Sequence, residues 1–90
     1  MEIEVRAFAT FRQALGQKTL VREFDDAETV GDVLAALSEE YPEMDLFEDG
    51  ELREFVSILK EGREVTHLDG LETALEDGDT VSLFPPVAGG

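Results

Sequence analysis

Ninety residues with no cysteine, and 22 acidic against 7 basic side chains, give a formal charge of −15 on a chain with room for one domain. The absent cysteines exclude disulfide frameworks, thiolate metal sites and cysteine nucleophiles. The sparse cations exclude the clustered Lys and Arg that nucleic acid demands, and adhesion to anionic membranes.

Apolar residues make up 42% of the chain and recur periodically, which predicts a folded rather than a disordered protein. Residues 2–8 alternate, with Ile3, Val5 and Ala7 on one face and Glu4, Arg6 and Phe8 on the other, the period of a half-buried strand. Residues 10–15 fit one or two helical turns closed by Gly16, where a left-handed cap is wanted. A second strand follows over 18–24, with Leu20 and either Val21 or Phe24 turned inward. Thr29 is placed to cap a helix, and Asp32 completes a capping box near the positive end of the helix dipole. Val30, Val33, Leu34, Leu37 and Tyr41 then fall on one helical face, and Pro42 ends the helix.

Residues 43–54 have no sustained period and contain Asp49-Gly50, which predicts a connection with one helical turn around Leu46 and Phe47. Residues 55–60 predict a third strand, Glu61-Gly62 a hairpin turn and 64–66 a short fourth strand. Residues 68–75 read as irregular or a single helical turn, Asp77-Gly78 as a turn, and 80–84 as the last strand. One long amphipathic helix needs one sheet face to cover it, so the expected architecture is a two-layer α+β domain over residues 1–84.

The remaining residues, 85–90, differ from everything before them. Pro85 and Pro86 cannot continue a sheet ladder and favour an extended, polyproline-like arm. Such a six-residue arm spans at most roughly 20 Å. Ala88, Gly89 and Gly90 have almost no side-chain bulk, so the backbone fits a narrow channel. A Gly90 α-carboxylate, with a pKa of about 3.5, is ionised at neutral pH and is a poor electrophile until another protein activates it.

The closing DGDTVSLFPPVAGG, the early AFATFRQALG and the intervening TVGDVLAAL follow one another in an order that resembles the MoaD-type sulfur carriers. These are the small subunits of molybdopterin synthase and the small archaeal ubiquitin-like modifier proteins, and the resemblance covers essentially the whole chain. It implies a β-grasp, ubiquitin-like fold: a mixed sheet of about five strands packed on one main helix, with the last strand central beside the first. It also implies a carrier and modifier rather than an enzyme, with no bound cofactor. In that reading a ubiquitin-activating-type enzyme uses ATP to adenylate Gly90, while Pro85, Pro86, Val87, Ala88 and Gly89 thread into the partner. Sulfur transfer then makes a Gly90 thiocarboxylate. Its sulfur goes to a pterin precursor with the molybdopterin synthase large subunit, or to tRNA thiolation, and activated Gly90 can also be joined to lysines of substrate proteins. The Pro-Pro pattern departs from that of thiamine-pathway carriers and sets thiazole synthesis behind these destinations.

Phe84 and Val87 stand where little core remains to fill, which makes them candidates for an apolar docking patch. Lys18 and Lys60 are candidate isopeptide acceptors from another copy. No metal site is expected. Asp45, Asp49 and Gly50 lack calcium-loop spacing, because Phe47 and Val56 stand where oxygen ligands are required. His67 has no second nitrogen or sulfur ligand.

With neither a signal-peptide pattern nor about 18 consecutive apolar residues, the expected location is cytoplasmic. The charge repels itself unless salt screens it, with a Debye length near 3 Å at 1 M, which points to the salt-rich cytoplasm of a halophile. The alternative function is a ubiquitin-like interaction domain whose tail is never activated.

Overall fold

A computed structural model describes residues 1–86; the expected tail residues Val87, Ala88, Gly89 and Gly90 lie outside the described part. The alternating start forms β1 (Glu2–Ala7), whose Ile3, Val5 and Ala7 are buried. A short helix α1 (Thr10–Leu15) buries Phe11 and Leu15 and closes at Gly16, whose φ of 83° is left-handed and whose N–H donates to the Arg12 carbonyl. β2 (Thr19–Glu23) then returns antiparallel to β1, with Leu20 opposite Val5 and Val21 opposite Glu4. Residues opposed across a ladder share a face. Leu20 therefore joins the core side, Val21 is left 54% exposed outside, and Phe24 is the second inward residue.

The main helix, α2 (Val30–Glu40), carries the expected capping box: the Thr29 hydroxyl accepts from the Asp32 N–H at 3.2 Å, and the Asp32 carboxylate accepts from the Thr29 N–H at 3.1 Å. That carboxylate also accepts from the Glu28 N–H at 2.9 Å. The backbone donors of Glu28 and then Thr29 hold the Asp32 carboxyl below its ordinary value of 3.8. Val30, Val33, Leu34 and Leu37 are fully buried, while Tyr41 becomes the half-buried C-cap.

The stretch after α2 corrects the sequence reading. The helical turn lies at Pro42–Met44, not around Leu46 and Phe47, and Phe47 instead opens a hairpin of β3 (Phe47–Glu48) and β4 (Glu51–Leu52). Its turn is Asp49-Gly50, both at positive φ, the conformation of a tight two-residue hairpin. β5 (Ser57–Lys60) starts two residues later than expected. β6 (Arg63–Glu64) ends before Val65–His67, which coils into a 3₁₀ turn that buries Val65. A further 3₁₀ turn, Gly70–Glu72, satisfies the expectation of one helical turn there, and β7 (Thr80–Phe84) ends at the first proline.

The five-stranded sheet runs β2-β1-β7-β5-β6, with β7 parallel to β1 and antiparallel to β5. This is the β-grasp arrangement: a mixed sheet with the last strand in its middle, packed on one main helix. Ile3, Val5, Ile58, Val81 and Leu83 meet the buried face of α2 in one core. Each large aliphatic side chain so buried contributes about 1.5–3 kcal/mol. The opposite sheet face takes the alternate residues, among them Glu4, Arg6, Leu59, Ser82 and Phe84.

Candidate functional site

The site begins where the chain leaves the sheet. Phe84 is the last residue of β7, Pro85 is half-buried and Pro86 is exposed outside the ladder, as two residues without N–H donors require. Ladders on both sides hold the strand: Ala7 is opposite Leu83 on β1, and Ser57 is opposite Phe84 on β5. The Phe8 N–H also donates to the Leu83 carbonyl at 3.2 Å. On the outer face the Phe84 ring stacks against that of Phe8, and the Arg12 guanidinium lies 5.9 Å from the Phe8 centroid, within cation–π reach. Phe84, an expected docking residue, is thus half-buried against a neighbour, and its companion Val87 lies outside the described residues.

Beside this aromatic pair is a pocket of about 250 Å³, lined by Arg6, Ala7, Phe8, Arg12, Lys18 and Thr19. It gathers three of the seven basic side chains around Phe8, the stacking partner of Phe84. Along the sequence these cations are separated by five residues or more. The gathering is a product of register: Arg6 faces Thr19 across the β1–β2 ladder, and the Ala7 N–H donates to the Lys18 carbonyl. Arg6 also pairs with Glu4 at 2.8 Å.

The two candidate acceptor lysines differ in setting. Lys18 is exposed at this pocket. Lys60 lies opposite Val81, on the core side of the sheet, with its side chain 26% exposed and its ammonium 3.7 Å from Asp79.

Other surfaces offer less chemistry. A groove of about 480 Å³ between β2 and α2 has six carboxylates among its lining residues and holds the Arg22–Glu40 ion pair. Among the described residues no group of three His, Asp or Glu side chains is placed to hold a metal, and no helix is long and apolar enough to cross a membrane.

The profile of the ThiS family matches residues 5–90. This chain belongs to that family. Small archaeal modifier protein 3 of Haloferax volcanii is 59% identical over the full length of both chains. The sulfur carrier protein CysO of Mycobacterium tuberculosis is 38% identical, with 83% of each chain covered. The crystal structure of the Haloferax volcanii modifier SAMP1 superposes with a TM-score of 0.85 at 34% identity, over all of both chains. As a ThiS-family member the chain is a ubiquitin-like protein of the small-modifier and sulfur-carrier kind, a carrier rather than a catalyst.

Proposed function

We propose that the chain acts through the carboxylate of Gly90 as a sulfur carrier and protein modifier in the cytoplasm. A ubiquitin-activating-type enzyme binds the folded domain, takes the arm of residues 85–90 into its active site and adenylates Gly90 with ATP, releasing pyrophosphate. A sulfur donor then displaces AMP to leave a thiocarboxylate, or a lysine amine displaces it to form an isopeptide bond. The thiocarboxylate serves molybdopterin synthesis with the large subunit of molybdopterin synthase, or tRNA thiolation. The observation that carries this reading is the launch point: a strand clamped on both sides gives way at Phe84 to two prolines, so the domain is a rigid handle for whatever follows. Family membership along residues 5–90 supports it. Phe84 with Val87 forms the apolar edge of the docking surface, and Lys18 is the better placed acceptor.

Intact-mass analysis after incubation with activating enzyme, ATP and a sulfur source tests the reading. One oxygen of the full chain is replaced by sulfur, whereas chains lacking Gly90, or extended beyond it, remain unchanged. An identical mass shift in the Gly90 deletion contradicts the reading. Retained biological function in the extended chain marks a plain interaction domain instead.

A further inference from the structure

Phe55 is 77% exposed and yet holds a φ of 68°. A bulky side chain in the left-handed region is a genuine outlier, and glycine occupies that region without strain. The fold gains little from the ring, which stands outside the core. Outliers of this kind cluster where a protein binds.

Its position supplies the second observation. Ser57, two residues on, is the register partner of Phe84. Phe55 therefore precedes by two residues the point where β5 meets the end of β7, on the β5 flank of the sheet, while the Arg6, Arg12 and Lys18 pocket lies on the β1 flank. The third observation is charge. Glu48, Asp49, Glu51 and Glu54 are exposed in the segment that leads into Phe55, and the one cation among them, Arg53, is taken up by Asp45 at 2.9 Å and Glu48 at 3.7 Å.

We propose that Phe55 is an aromatic anchor that enters an apolar socket, rimmed by Lys and Arg, on the enzyme that receives the arm. Aromatic side chains are enriched in the desolvated centres of interfaces, and complementary charge steers encounter and fixes register. The ring stands just before β5 and the arm follows β7, its ladder partner, so together they hold the domain at two points and fix its rotation about the arm. The ring belongs to the folded domain and takes no part in the bond changes at the carboxylate, so it contributes equally to ground-state and transition-state binding. Its loss therefore appears in KM rather than kcat.

The inference rests on the activation reading above, and the test separates the two. Pyrophosphate release by the cognate activating enzyme is measured for the full chain, for Phe55→Gly, for Phe55→Trp and for the double variant Glu51→Gln/Glu54→Gln. Phe55→Gly is expected to raise KM about tenfold with kcat nearly unchanged, and Phe55→Trp to restore it. The charge variant raises KM at low salt and loses its effect at high salt. Phe55→Gly is also expected to melt no lower than the wild type, since glycine relieves the strained φ; if it fails to fold, Phe55→Asn takes its place. A wild-type KM in the folded variant overturns the anchor and leaves the activation reading standing. No turnover of the wild-type chain removes the activation reading and the anchor with it.

Discussion

Phe84 and Phe8 stack face to face, with ring centroids 4.2 Å apart and planes 9° from parallel. The last side chain before the arm is thus fastened to the segment that continues β1. A double-mutant cycle of Phe8→Ala and Phe84→Ala, followed by denaturant unfolding, is expected to give a coupling of about 0.5–1.5 kcal/mol. Additive effects of the two substitutions would show that the rings contribute separately.

The two lysines are expected to react at different rates. Lys18 is exposed, whereas Lys60 is held by Asp79 on the core side of the sheet. Brief treatment with an amine-acetylating reagent, read by peptide mass spectrometry, labels Lys18 first. Gly-Gly remnants from self-conjugation fall on Lys18 as well. Preferential labelling of Lys60 would contradict the placement.

The capping box makes a prediction about stability and one about pH. Thr29→Ala removes the hydroxyl that accepts from Asp32 and is expected to cost about 1 kcal/mol, a drop in Tm of roughly 4–8 °C for a domain of this size. The folded-state pKa of Asp32 lies below 3.8, so its contribution is present above the unfolded value and lost as pH falls through the folded one. Circular dichroism across the acid limb checks this: Asp32→Ala is less stable than wild type at neutral pH, and the gap closes as the solution is acidified below 3.8.

Salt is expected to stabilise the fold. Of the 22 acidic side chains, Glu4, Glu23, Glu40, Asp45, Glu48 and Asp79 lie at ion-pairing distance from a cation among the described residues, and the rest repel one another through solvent. Raising KCl from about 0.1 M to about 2 M shrinks the screening length and raises Tm. A flat or falling Tm over that range would contradict a salt-adapted surface.

Elements with strong local signals were legible in the sequence. α2 was, because Thr29 and Asp32 specify its start and four apolar residues recur at helical spacing. β1 and β7 were, because they alternate cleanly between core and surface. The β3–β4 hairpin was not: strands of two residues have no period to read. Its ladder continues in the Arg53 N–H on the Leu46 carbonyl, and it is anchored to the tertiary fold by the burial of Met44 and Leu46. Its one local signal was Asp49-Gly50, a hairpin dipeptide read as a plain turn. The end of β7 at Pro85 was legible as composition. The basic pocket beside it was not, because Arg6, Arg12 and Lys18 meet only once β1 and β2 have found their register.

The central place of β7 has a mechanical consequence. A pull applied to β7 along its axis loads the ladders to β1 and β5 in shear, and their hydrogen bonds resist together. An edge strand tugged sideways would instead peel open one bond at a time. On the activation reading, an enzyme that draws the chain end inward loads the domain through a strand laddered on both sides.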